Sequence, residues 1–324
     1  MLRTDFRSLV KGYKRISFYT GNFSRYYMPD SLFRNLFSRA CNRLNRNERK
    51  QIDRRVDYYI RLPHNATLDS STAVSVGDFN YPWKKKHKFT TYFFDLFECV
   101  RCFNPRFRFN YLFGDVAHET DSPTFVKSRP ITAGTTNSVL MPLNKVRHFR
   151  FIKDSKLFRD KKDMLVFRNV VRQQHRLDFL DRHFGNHLCD AGQTNRDWGN
   201  LEYLKPYMTI EEQLDFKFVA CIEGNDVATN LKWVMASNSI AVMPRPKIES
   251  WFMEGTLKGD YHYIEIKDDY SDLEEKLWYY IAHPDEAEAI IKHAHEYVDR
   301  FRDISKELLT ARLVAEKYFE LTRQ

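Results

Sequence analysis

Three groups of residues have types and spacings suited to chemistry. Asp115 follows the apolar run Phe107–Phe113 and a single glycine. A carboxylate just past a strand end is where α/β proteins keep acid–base groups, although a turn or cap aspartate is the commoner occupant. The loop Glu223-Gly224-Asn225-Asp226 follows a second apolar run and precedes a helical pattern. That placement suits an anion such as a nucleotide diphosphate, docking near residues 224–232. The loop has neither the dinucleotide glycine fingerprint nor the lysine-containing phosphate loop, and most such turns bind nothing. Asp226 repels phosphate unless it caps the helix or holds sugar hydroxyls. Third, Arg168, Arg172 and Arg176 recur every four residues after Met164–Phe167. On one helix they share a face that can clamp an anion, a spacing that also arises by chance in Arg-rich helices. Lys127 and Arg129, in PTFVKSRPI, either reach phosphates or remain surface charges.

The elements that must position these groups read as alternating strands and helices. FKFVACI (Phe216–Ile222), SIAVMP (Ser239–Pro244), YHYIEI (Tyr261–Ile266) and Met164–Phe167 are short apolar runs with turn residues at their edges. Val227, Leu231, Val234 and Met235 recur at helical spacing behind an Asn225 or Asp226 cap, and IESWFMEG is a shorter helical pattern. Fully apolar strands separated by helices imply a parallel sheet covered on both faces. Ser271-x-x-Glu274 predicts a capping box opening a helix to about Ala282, and Pro284 starts another, with helix to the C-terminus and a break near Asp303-Ile304-Ser305.

At 324 residues the chain is long enough for two domains, and the charge-dense Lys153–Asp163 is the expected boundary. Five scattered cysteines suit a reducing compartment rather than a disulfide framework, and Cys99-x-x-Cys102 has no second pair to complete a zinc site. No apolar run reaches membrane-spanning length and the N-terminus lacks a signal-peptide core, so the expected location is the cytoplasm. The net charge of +9 is unevenly placed. Residues 1–62 hold 15 Lys/Arg against 5 Asp/Glu, while the rest holds 37 against 38. Such a basic, aromatic-rich flank meets nucleic acid, an anionic leaflet or an acidic substrate. Within it, SLFRNLFSRACNRL puts Leu32, Leu36, Phe37 and Ala40 on one helical face, either for adsorption to a bilayer or for packing beneath a solvated basic face. The Lys84–Lys88 cluster reads as a solubilising turn. A nucleic-acid-binding protein is the alternative of a different class, disfavoured by the near-neutral remainder.

Several separated segments together resemble glycosyltransferase family 90, and its bacterial lipopolysaccharide-modifying branch most. These are FKFVACIEGNDVATNLKWVMASNSIAVMP, ESWFMEGTLKGDYHYIEIKDDYSDLEEKL, VFRNVVRQQHR, FNYLFGD and FVKSRPI, covering residues 105–300 in the family's order. The resemblance implies an α/β, GT-B-like fold: two Rossmann-like domains facing a cleft, and a C-terminal helix crossing back to the first. The corresponding divisions are 1–155 (acceptor side), 156–300 (nucleotide-sugar binding) and 301–324 (returning helix). It further implies an inverting transfer, with no metal and no cofactor, from a nucleotide sugar (usually a UDP sugar) to a lipopolysaccharide core or related glycan. A protein O-glycosyltransferase of the same fold is the alternative. By position, Asp115 matches the general base and Arg176 the arginine that contacts the leaving diphosphate. Gly224, Asn225, Asp226, Val227, Ala228, Thr229 and Asn230 match the donor loop, with Lys232 beyond it. Arg168 and Arg172 join the donor side, and Lys127, Arg129 and Glu254 are expected phosphate or acceptor contacts. The sequence departs from the eukaryotic members at Asn230, where they carry arginine, and at Asn169 and Val170. A peripheral contact with an anionic membrane is the remaining expected partner.

Overall fold

The computed structural model describes residues 20–81 and 89–324; the Lys84–Lys88 cluster and the first nineteen residues of the basic flank lie outside the described residues. The first half contributes β1 (Val74–Ser75), β2 (Arg108–Leu112), β3 (Thr124–Val126), β4 (Ser128–Pro130) and β5 (Ser138–Leu140). The second contributes β6 (Lys162–Asn169), β7 (Cys189–Gln193), β8 (Phe216–Ala220), β9 (Ile240–Met243), β10 (Ile248–Ser250) and β11 (Ile264–Glu265). Strands β1-β2-β3-β5 form one sheet, parallel except at β1, and β11-β9-β8-β6-β7 form a second, wholly parallel sheet. The protein is thus mixed α/β with parallel sheets.

Period-two burial explains the second sheet. Leu165, Phe167, Phe218, Ala220, Ile240 and Val242 enter one core, whereas Val166, Val219, Cys221, Ala241 and Met243 enter the other. Every residue of β8 is buried, as a central parallel strand covered on both faces requires. The strand order changes direction between β6 and β8, so the crevice for a ligand opens at their C-terminal ends. Among the described residues no helix is long and apolar enough to cross a membrane.

A two-stranded antiparallel ribbon, β4 with β10, ties the two halves together. It places Arg129 opposite Glu249 and Ser128 opposite Ser250. Arg129 is fully enclosed. Its Nε donates to Glu249 Oε1 at 2.9 Å, and its other donors reach the carbonyls of Tyr58, Tyr59 and Ser138. Helix Ile304–Leu321 packs on the first half: Tyr318 donates to the Pro123 carbonyl at 2.7 Å, and Glu307 pairs with Arg55 at 2.5 Å.

Several local expectations are corrected. IESWFMEG is not a helix; it forms β10 and a 3-10 turn at Glu254–Thr256, because Glu249 must meet Arg129. The helix after β8 spans only Leu231–Met235, so no helix N-terminus stands at Val227 and Asn225 and Asp226 cap nothing. Helix Leu273–Ala282 begins without a capping box; Asp269 instead accepts from the Ser271 amide and hydroxyl. In helix Asp30–Arg43 the buried stripe is Phe33 and Phe37, while Leu32 and Leu36 stay exposed.

Removing one partner of a buried ion pair strands the other charge, which costs about 3–5 kcal/mol. Glu249→Gln is therefore expected to lower unfolding stability by about that amount, measured by urea denaturation, with the surface change Asp285→Asn as the near-neutral control.

Candidate active site

The first sheet delivers one carboxylate. After β2, Gly114 takes φ +121°, a conformation side-chain-bearing residues rarely adopt, and the turn sets Asp115 just past the C-terminal end of that strand. Lys127, lying between β3 and β4 with its side chain 3% exposed, reaches Asp115 Oδ1 at 2.5 Å and Asp226 Oδ2 at 2.7 Å. Ser128 donates to the same Asp226 oxygen at 2.7 Å, and Asn225 Nδ2 lies 3.4 Å from Asp115 Oδ2. One ammonium thus draws the end of the first sheet and the 224–226 loop of the second into a single cluster.

The two carboxylates are shifted in opposite directions. Burial acts to raise Asp115, but the hydrogen bond and charge of Lys127 outweigh it and hold its pKa below the ordinary value. Asp226 is buried more deeply, and there burial outweighs the same ammonium and raises the pKa. Burial opposes the charge on Lys127, yet its carboxylate partners raise its pKa, so it stays protonated.

The second sheet contributes Arg176, early in helix Gln174–His183. Its Nε donates to the Glu223 carbonyl, Nη1 to that of Val170 and Nη2 to that of Ile222, each at 2.8 Å. Burial lowers its pKa to about 10, and it remains a cation at neutral pH. It therefore clasps the loops that follow β6 and β8, on either side of the strand-order reversal. A Cβ at Gly224 would lie 3.2 Å from Nη2, so glycine lets the loop lie against the guanidinium.

A cavity of about 320 Å³ opens beside this loop, bounded by Asn225, Val227, Ala228, Arg245, Lys247 and Tyr270. Glu254 forms part of its floor, where Lys232 meets it at 2.5 Å and Ser250 donates to it. Tyr270 is buried, its pKa pushed to about 12, and its hydroxyl donates to the His175 carbonyl. Arg245 is exposed and has no ion-pair partner among the described residues; Lys247 pairs with Asp268 at 3.0 Å.

Asp115, Lys127, Asn225 and Asp226 therefore come together, with Arg176, Gly224, Val227 and Ala228 beside them. Other expected residues stand elsewhere. Arg168 lies in β6 rather than on a helix, and its Nη2 pairs with Asp190 at 2.6 Å. Arg172 lies in the following loop, paired with Asp197, so the shared helical face does not exist. Arg129 is sealed in the ribbon, and Lys232 is fully buried beneath the cavity. Asn230 turns inward to the Ala220 carbonyl at 2.9 Å, and Thr229 is half-buried in the same loop. Arg245, Lys247, His175 and Tyr270 escaped the sequence reading. The available signal was Arg-Pro-Lys directly after an apolar strand, where the ligand crevice of a parallel sheet lies.

The crevice at the strand-order reversal thus adjoins the 224–226 loop, which Lys127 and Asn225 connect to the Asp115 carboxylate of the other sheet. Residues 138–309 match the family model described as glycosyl transferase family 90. The chain is also 43% identical over 274 residues to the O-glucosyltransferase LpsA of Dichelobacter nodosus, an alignment covering 84% of each protein. The chain belongs to glycosyl transferase family 90, and it is a glycosyltransferase.

Arg176→Ala removes the donors to three loop carbonyls. Hydrogen exchange is expected to rise at amides in 170–176 and 222–226, and stability to fall by about 1–3 kcal/mol. Unchanged exchange there would show that the loops do not depend on the arginine.

Proposed function

We propose that the enzyme transfers a hexose, with inversion and without a metal, from a nucleotide sugar to a hydroxyl of a lipopolysaccharide core or related glycan. The observation that carries this reading is the Asp115–Lys127–Asp226 cluster, joined through Asn225 to the cavity at the strand-order reversal. A GT-B arrangement, with the donor on the second sheet and the acceptor against the first, is part of the same reading. The name of the Dichelobacter relative, an O-glucosyltransferase, supports glucose as the sugar, and UDP is the expected carrier.

In this scheme Asp115 is ionised and takes the acceptor hydroxyl's proton on Oδ2 as the acceptor oxygen bonds to the anomeric carbon. The bond from that carbon to the diphosphate oxygen breaks, and the diphosphate leaves with the electron pair. Lys127 stays protonated, so it orients the base rather than acting as one. Arg245 and Lys247 stand where they can meet the charge on the diphosphate, with Arg176 holding the loop beside it. Fixed charges at a departing anion act in the transition state without reorganising, which is why such terms reach several kcal/mol.

Asp115→Asn is expected to reduce kcat by about 10²–10⁴-fold while nucleotide affinity stays nearly constant. A thermal-shift screen of nucleotide diphosphates and nucleotide sugars tests the donor side, and wild-type protein that neither binds nor turns over any of them overturns the reading. The pH profile follows from the depressed Asp115 pKa. Its base form persists below the ordinary carboxylate range, so the acid limb of kcat/KM lies below that range too. Lys127→Met should move that limb upward; a limb unmoved by it assigns the base elsewhere.

The exposed face of helix Asp30–Arg43 supports peripheral contact with an anionic bilayer on its cytoplasmic side. Leu32 and Leu36 are 44% and 47% exposed, beside exposed Arg34, Arg39 and Arg43. Co-sedimentation with phosphatidylglycerol vesicles should fall in Leu32→Ser/Leu36→Ser, and equal binding by that variant excludes this face.

A further inference from the structure

A second cavity, of about 420 Å³, lies on the far side of the segment that floors the first. It opens between helix Arg46–Tyr59 and the junction of helices Pro284–Asp299 and Ile304–Leu321. Arg54, Arg55, Arg300 and Lys306 line it together with Tyr58 and Met253, and no carboxylate does. The segment between the cavities is shared: Met253 faces the basic one and Glu254 the other.

The positive charge here is left over after nearby acids are used. Glu307 holds Arg55 through both oxygens, at 2.5 and 2.8 Å, and also accepts from Trp251 Nε1 at 2.6 Å. Asp53 pairs with Arg49, Asp57 with Lys317 and Asp299 with Arg302. Asp303 accepts from the amides of Ser305 and Lys306, which takes up the N-terminal turn of the last helix. Among the described residues, Arg54, Arg300 and Lys306 therefore have no ion-pair partner, although they converge on one concavity. Two of the groups are positioned rather than loose. Arg300 lies over the Tyr297 ring at 4.8 Å, with Nη2 3.8 Å from the Met253 sulfur. Arg55 is 8% exposed, and its Nε is buried without a hydrogen-bond partner. A merely solvated basic face spreads its charges to lower their repulsion; here they gather around a hollow.

We propose that this cavity binds a phosphate monoester carried on a saccharide, as an acceptor-side subsite separate from the donor cavity. Three unpaired cations beside a buried fourth match a tetrahedral dianion better than a single carboxylate. The hollow exceeds the size of a phosphate alone, and Gln51 adds a polar group suited to sugar hydroxyls beside the Tyr58 side chain. The assignment rests on the reading of the protein as a transferase to a glycan, and the Met253–Glu254 segment sets this site next to the donor cavity. It also gives part of the basic first fifth of the chain a specific use, through Arg54 and Arg55.

The test is calorimetric titration of the full-length chain with glucose 6-phosphate, with glucose as the uncharged control and UDP as a separate probe of the donor cavity. Wild type should bind glucose 6-phosphate and not glucose, and more tightly at pH 7.5 than at pH 5.5, as the phosphate gains its second charge near pH 6. Arg300→Ser/Lys306→Ser should weaken this by at least about tenfold, since a lost charged donor is worth that much or more, with UDP affinity within about twofold. Should that variant be less stable than wild type, the exposed Arg54→Ser gives the same comparison. Undiminished binding in the variants, or glucose 6-phosphate binding no better than glucose, overturns the proposal. So does binding of phosphatidylglycerol vesicles alone through these residues. Wild type that binds glucose 6-phosphate but not UDP supports the subsite and counts against the donor reading instead.

Discussion

Lys127 carries a charge to a place water barely reaches, and two carboxylates must accompany it. Burying an ammonium is affordable only when opposite charge and hydrogen bonds surround it. Asp115 comes from the first sheet and Asp226 from a loop of the second, so satisfying one cation fixes the spacing of both halves. The ribbon beside it repeats the device with Arg129 and Glu249, sealed by Tyr58 and Arg61, which also reach the Glu249 carboxylate. The two clusters occupy neighbouring strands, β3–β4 and β10, so the ammonium that holds Asp115 stands beside a paired ribbon.

Arg176 acts on the other side of the cleft by similar logic. A guanidinium directs several donors in one plane, and here three of them hold carbonyls from two loops on either side of the strand-order reversal. Loops at such a crevice have no strand partners for their backbone groups, so an internal donor supplies what neighbouring strands would. Nearer open solvent, Lys247 pairs with Asp268 and Arg245 has no ion-pair partner among the described residues. This division between charge that builds and charge that faces outward recurs at the second cavity, where Arg55 is bound to Glu307 and Arg300 and Lys306 are not.

The runs that became β6, β8 and β9 were readable because a strand covered on both faces must be apolar along its whole length. β7, Cys189–Gln193, was not. It contains Asp190 and Gly192, and the Asp190 carboxylate is answered by Arg168 and Lys205, which the chain brings from elsewhere. IESWFMEG misled for a related reason: its apolar spacing fits a helix, but pairing with β4 decides its shape. Leu32 and Leu36 show the same limit, since spacing marks an apolar face without saying which part is covered.

Asp115 and the 224–226 loop were visible as positions beyond strand ends, and the structure joins them through Lys127; the order of the motifs identified the family. The sequence alone therefore determined the parallel-sheet class and the family, because these depend on local burial patterns and on residue order. It left the arginines and lysines indistinguishable, as Arg129, Arg168, Arg172, Arg176 and Lys127 carry the same kinds of charge on similar local frames. Only the tertiary structure sorted them into a sealed ribbon, a strand pair, a surface pair, a loop clasp and a bridge between carboxylates. A charge takes its role from the partner that compensates it, and those partners lie up to 120 residues away in the chain.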